Sequence, residues 1–190
     1  MTVDEIRDIL IDHLSSTPAA SAAVVRGETS ASIAFRGAIS EEGQLSLSGL
    51  ERYARTHVWT LYSEFSPRIG IGDVLMIDDT PSFVVDSRTT CGNFINRARV
   101  VLCEDTVTIN DQEVKCQLGG MTQDADMDLG GTRPDDFQGF YIPESIIPES
   151  VEISISTPVL ISGSQLLVEK ISRDAKYGIL CVTCRKRGAA

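Results

Sequence analysis

Cys181-Val-Thr-Cys184 has the spacing of a metal knuckle or a redox pair. A structural zinc site needs a second such pair, and Cys91, Cys103 and Cys116 do not supply one. A redox pair opens a helix after a strand, whereas this one sits inside the strand-like run Tyr177–Lys186. Strand alternation puts Cys181 and Thr183 on one face and Val182 and Cys184 on the other, which keeps the two sulfurs apart. Packed thiols are the expectation. Asp124, Asp126 and Asp128 in "DADMDLGG" resemble the start of a calcium loop. The glycine comes one place late, at Gly130, the twelfth position is Asp135, and no flanking helix is visible, so a solvated acidic loop is expected. Gly70-Ile-Gly72-Asp73 is too short to cradle a phosphate and leads into a strand. His13 and His57 are the only histidines, and neither stands beside a nucleophile motif. No catalytic residue, no metal and no cofactor are therefore assigned.

Charge gives a further signal. The chain of 190 residues has a formal net charge of −10, so tight wrapping of nucleic acid is disfavoured, although an acidic wall lets DNA pass without sticking. Against this background Arg185, Lys186 and Arg187 form a basic patch after the last strand, and Arg88–Arg99 a second, modest one. Hydrophobic content of 42% and charged content of 23% are those of a globular protein. Five cysteines, an odd number, point to reduced thiols in a cytosol. The first residues carry acids where a secretory leader needs positive charge, and no apolar run approaches the ~20 residues that span a bilayer, so no membrane association is expected.

The elements that must position these residues are mostly strands. Residues 2–15 are the exception: Val3, Ile6, Leu10 and Leu14 share a helical face, Thr2 and Glu5 have capping-box spacing, and Pro18 ends the pattern. From residue 20 onward short β-compatible runs alternate with Gly and Pro punctuation. In "HVWTLYSEF", Trp59, Leu61, Ser63 and Phe65 form the more apolar set of a half-buried strand. "DVLMI" and "SFVVDSR" read as a hairpin around an Asp78-Asp79-Thr80-Pro81 turn, and "RARVVLCED" as the next strand. Glu41–Leu50, beginning with Glu41 and Glu42, reads as a polar loop, and Met121–Gly139, with Asp124, Asp126 and Asp128, as a long mobile one.

The hairpin pattern returns. Val74–Arg88 and Val159–Arg173 each give strand, tight turn, strand, acid and Ser-Arg, then a further β-run. Two diverged copies are expected, over roughly 24–105 and 106–187. The predicted architecture is mainly β: an N-terminal helix and linker over 1–19, and two small antiparallel β-barrel-like units over 20–105 and 106–190.

The stretch Arg68–Arg88 with the β-run after it resembles the short barrel of tailed-bacteriophage head–tail joining proteins, also called neck or stopper proteins. Gly72-Asp73 match the Gly-Asp that opens a strand in that family, Asp78-Asp79-Thr80-Pro81 the tight turn, and Phe83-Val84-Val85 the Val-rich second strand. The likeness covers residues 56–105 and, through the repeat, 138–187. It implies a non-enzymatic virion protein, assembled in the host cytoplasm, that forms a homo-oligomeric ring joining portal or adaptor protein to tail proteins. DNA would pass through its channel without sequence-specific binding. It further implies that a loop from each barrel narrows or plugs the channel, which makes Glu41, Glu42, Asp124, Asp126 and Asp128 channel candidates. Arg185, Lys186 and Arg187 are partner-contact candidates. Two alternatives stand beside this one: a tail or baseplate structural module, and a cellular metal-binding β module.

Overall fold

The structure, a computed structural model, describes residues 5, 9, 12, 20–25, 33–45, 56–64, 68–90, 95–119 and 137–186. Twelve strands are assigned among them. β1 (Ala20–Val25), β2 (Ile33–Leu45), β3 (Thr56–Glu64), β4 (Val74–Ile77), β5 (Thr80–Thr90) and β6 (Ile95–Leu102) close into an antiparallel barrel in the order β1-β2-β3-β6-β5-β4. β7 (Asp105–Ile109), β8 (Gln112–Gly119), β9 (Phe137–Pro143), β10 (Pro158–Ile161), β11 (Ser164–Asp174) and β12 (Ile179–Lys186) form the second sheet, each strand paired on both edges, in the order β7-β8-β9-β12-β11-β10. The mainly-β expectation holds. The expected N-terminal helix lies outside the described residues apart from Glu5, Ile9 and Asp12, which are helical. The chain divides into two compact units, Met1–Gly43 with His57–Leu102 and Gln44–Thr56 with Cys103–Ala190, and β7 opens at Asp105.

The two strand orders are one topology used twice. β4, β5 and β6 recur as β10, β11 and β12 with every bound shifted by 84 positions: 74 to 158, 80 to 164, 95 to 179. The turns correspond as well. Asp78-Asp79 (φ 47 and 62) and Ser162-Gly163 (φ 48 and 80) are two-residue hairpin turns with both residues in the left-handed region, the form whose twist matches the strands it joins. The register then slips between Val84 and Asp86 in one barrel and between Val168 and Lys170 in the other, a β-bulge at the same place.

The lead-in to the hairpin repeats bond by bond. Gly72 N–H donates to Val84 O at 3.0 Å, and Ser156 N–H to Val168 O at 2.7 Å. Val84 N–H donates to Asp73 O and Val168 N–H to Thr157 O, both at 3.0 Å. The Asp73 carboxylate accepts from Gly70 N–H at 2.7 Å, and Thr157 Oγ1 accepts from Ser154 N–H at 3.0 Å. Both turns need a left-handed residue, Gly72 (φ 84) and Ser156 (φ 68), which glycine adopts without strain and serine does not.

Three sequence expectations are corrected. The recurrence is real, but the letters mislead by one place: Val74 corresponds to Pro158, not Val159. A slip of one residue turns every side chain to the opposite face, so Leu75 and Ile77 can match only Val159 and Ile161, which are also buried. Pro81 is not in the turn; it lies in β5 opposite Met76, just beyond Ser82, where the ladder to β6 begins, so its missing N–H loses no bond on that edge. Glu41 and Glu42 belong to β2, whose backbone runs as strand to Leu45, so the polar run there is strand and not loop. β1 pairs with β2 over Ile33–Gly37, and the strand runs on beyond that ladder through the polar residues to Leu45.

Two connections differ between the barrels. Val24 pairs Ile33 across a long β1–β2 connection, whereas Ile109 pairs Gln112 across the tight Asn110-Asp111 turn (φ 50 and 62). The β9–β10 connection is the longer of its pair and carries a 3-10 turn at Glu144–Ile146. It lays Val151, Ile146, Ile147 and Ile153 on the second core.

Each core is the inward half of an alternating pattern. Leu61, Leu75, Ile77, Val84, Ala98 and Val100 fill the first, with Trp59 packed against them. Ile109, Phe140, Ile142, Ile161, Leu166 and Val182 are among those filling the second. Full burial of each such large side chain stabilises by about 1.5–3 kcal/mol. Eight strands give a barrel interior just wide enough for side chains to fill. Six leave less, and Phe140, at 1% exposure, occupies what remains in the second barrel.

Candidate functional site

The outer face of β3, β6 and β5 gathers the chemistry that separates the two barrels. In β6 the inward set is Ala98, Val100 and Leu102, so Arg97 and Arg99 lie on the opposite face, both half-buried and with Arg97 Nε fully buried. Cross-strand pairing then builds two adjacent rows: Tyr62, Arg97 and Arg88 in one, Thr60, Arg99 and Asp86 in the other. Arg88 is well exposed, and its Nε lies 3.4 Å from Asp86 Oδ2. Tyr62 is 38% exposed, one of few large apolar side chains left at the surface of the described residues. Arg88 stands directly opposite Arg97, and like charges so placed destabilise the strand pair.

The corresponding rows of the second barrel are Tyr141, Cys181 and Ser172, and Gly139, Thr183 and Lys170. The tyrosine is common to both. The three arginines belong to the first barrel alone, and the barrel topology does not need them, because the second barrel closes without them. Guanidinium forks bind carboxylates and phosphates bidentately, and an adjacent tyrosine face attracts a cation or a planar group. Thr60, at 1% exposure, is covered on this face and Arg97 and Arg99 are half-buried, so Arg88 and Tyr62 are its exposed members.

The cysteines are not such a site. Cys184 lies in the second core with Val182, while Cys181 points the other way and is nonetheless buried, the two-faced arrangement that alternation requires. Burial pushes the thiols of Cys116, Cys181 and Cys184 up to about 12, from an ordinary value of 9.0. Nearby acids add to the effect, Asp105 at Cys116 and Asp174 at Cys181. Cys103 is raised further, by burial first and then by Cys116 and Asp105. Metal ligation and disulfide exchange both require the thiolate, and these groups hold their protons at neutral pH. Among the described residues no group of three His, Cys, Asp or Glu side chains is placed to hold a metal ion. No helix among them is long and apolar enough to cross a membrane.

The other sequence candidates scatter. Arg185 and Lys186 do not follow the last strand but end β12, where they pair with Leu167 and Leu166 of β11. Arg185 Nε lies 3.7 Å from Glu169 Oε2, a surface ion pair worth about 0–1 kcal/mol, and Lys186 is exposed. Arg187, Asp124, Asp126 and Asp128 lie outside the described residues. Glu41 and Glu42 are in β2, of which the backbone alone is described. Tyr62 was not singled out from the sequence; the signal for it is its place in the outward half of the β3 alternation. Comparison with protein-family models, curated proteins and solved structures finds no match for this chain.

Proposed function

We propose that this protein is a structural component of a tailed-bacteriophage virion, forming a homo-oligomeric ring in the neck between portal and tail, with the genome passing through its channel. The observation that carries the proposal is the repetition of one small closed-barrel topology in a single chain, down to the lead-in turn that prompted the family resemblance. Both barrels are filled by their own side chains, so neither offers a lumen for a small ligand among the described residues. A protein built this way works through its outer surfaces, which is how ring subunits meet. The reading has the protein joining portal or adaptor protein to tail proteins, without catalysis and without sequence-specific contact to DNA.

Light scattering coupled to gel filtration, with negative-stain images of the chain alone and mixed with the portal and tail-tube proteins of the same genome, tests this. Rings, or subunits added to the portal, are the expected result. Addition to the tail tube alone moves the protein to the tail or baseplate. A monomer that joins neither refutes the proposal.

A further inference from the structure

The interiors of the two barrels can be matched position by position through the 84-residue shift and the cross-strand pairs. Where the second barrel has Ile142, Leu166, Ile171 and Leu180, the first has Ser63, Ser82, Ser87 and Asn96. The four aliphatic residues belong to the second core or pack against it. Ser63, Ser82 and Asn96 are interior too, at no more than 1% exposure, and Ser87 is half-buried.

Three of these polar residues gather at one end of the first barrel. Ser63 stands opposite Asn96, and Asn96 opposite Thr89, in one cross-strand row. Ser87 lies in the next row, opposite Ala98. The matching rows of the second barrel are Ile142, Leu180 and Arg173, then Phe140, Val182 and Ile171. The connections that leave these ends differ as well. The β9–β10 connection lays Ile146, Ile147, Val151 and Ile153 on the second core, whereas the β3–β4 connection adds Ile69 to the first among the described residues.

Such replacements weaken one end and leave the rest of the barrel aliphatic, with Leu75, Ile77, Val84 and Val100 in its interior. Separating packed aliphatic side chains exposes apolar surface to water. At the polar end, Asn96 Nδ2 donates to Ser63 Oγ at 3.4 Å and Ser87 Oγ donates to Ile69 O. Water replaces hydrogen bonds of this kind at small net cost when strands part.

We infer that the Ser63–Asn96 end of the first barrel is a local opening point, where β3, β6 and β5 part while the rest of that barrel and the matching end of the second stay closed. The consequence appears on the outer face. Tyr62, Arg97 and Arg88 alternate with Ser63, Asn96 and Ser87 along the same three strands, so opening moves that outer row. Elements that rearrange in function are drawn from the least stable parts of a fold.

Hydrogen exchange read by mass spectrometry on the full chain at pH 7, corrected for intrinsic rates, tests this. Hydrogen-bonded amides around Ser63, Asn96 and Ser87 are expected to exchange about a hundredfold faster than those around Ile142, Leu180 and Ile171. That is about tenfold (~1.4 kcal/mol) for each of the Ser63 and Asn96 replacements. Amides around Leu75 and Val100 are expected to be as protected as those around Val159 and Cys184. Equal protection of the two ends overturns the inference, and so does fast exchange spread evenly over the first barrel. Ser63→Ile with Asn96→Leu copies the second barrel and is expected to slow exchange at the polar end. The converse pair, Ile142→Ser with Leu180→Asn, is expected to hasten exchange at the matching end of the second barrel, and it decides the point if the first variant does not fold. Unchanged exchange in a folded variant of either kind also overturns the inference.

Discussion

Raising the pH from 8 to 10 should unfold the second barrel in preference to the first. Its four cysteines, Cys103, Cys116, Cys181 and Cys184, are all at most 3% exposed. Unfolded thiols titrate near 9.0, and three of these titrate near 12 in the folded state, with Cys103 raised as well. Below pH 9 both states hold the protons and stability does not depend on these groups. Above it the unfolded chain releases protons that the folded one keeps, so stability falls by a little over 1 kcal/mol per thiol per pH unit until the folded groups titrate. By pH 10 the loss is about 1.3 kcal/mol for each, on the order of 5 kcal/mol for four, against a total of about 5–15 kcal/mol for a domain.

The assay is guanidinium unfolding under reducing conditions at pH 8, 9 and 10. Trp59, the only tryptophan, reports the first barrel by fluorescence. Far-ultraviolet circular dichroism reports both. The expected result is a second-barrel midpoint that drops steeply while the Trp59 midpoint moves little. Replacing Cys116 and Cys184 by Val should halve the pH-dependent loss whatever it does to absolute stability. Equal midpoints at pH 8 and 10, or rapid alkylation of these thiols in the folded protein at pH 8, would refute the reasoning and reopen a metal or redox role for the cysteines.

Ser156→Gly removes a left-handed serine from the turn where the first barrel already has Gly72, and should stabilise by about 1 kcal/mol, raising the thermal midpoint by roughly 4–8 °C. Gly72→Ala should lower it by a comparable amount. Gly119→Ala would place a methyl group 2.6 Å from Tyr141 Cε2, and because Tyr141 is itself buried the ring cannot swing clear. A loss of about 1–3 kcal/mol is expected by thermal unfolding, and an unchanged midpoint would show that the Tyr141 ring is free to move.

Much of the strand content was legible locally. Period-two alternation identified Trp59, Leu61 and Ser63 as one face of β3 and separated Cys181 from Cys184. The two hairpins were readable from their turn residues, and so was the fact that one pattern occurs twice. These features depend on neighbours within a few positions, so the chain states them directly. The candidate site was legible only in part: Arg88–Arg99 stood out as basic, but nothing in the letters set Arg88 opposite Arg97 or brought Tyr62 beside them.

Alternation says which residues share a face but not which strand lies alongside, and that is settled by barrel closure, a cooperative fit among strands far apart in the chain. The same fit put Pro81 and Glu41 into strands and moved the repeat by one residue, because buried Leu75 and Ile77 had to coincide with Val159 and Ile161. Local composition therefore determined the elements and their inward faces. The tertiary structure alone decided the register, and with it which charged side chains stand together on the outside, because pairing between distant strands has no local signature.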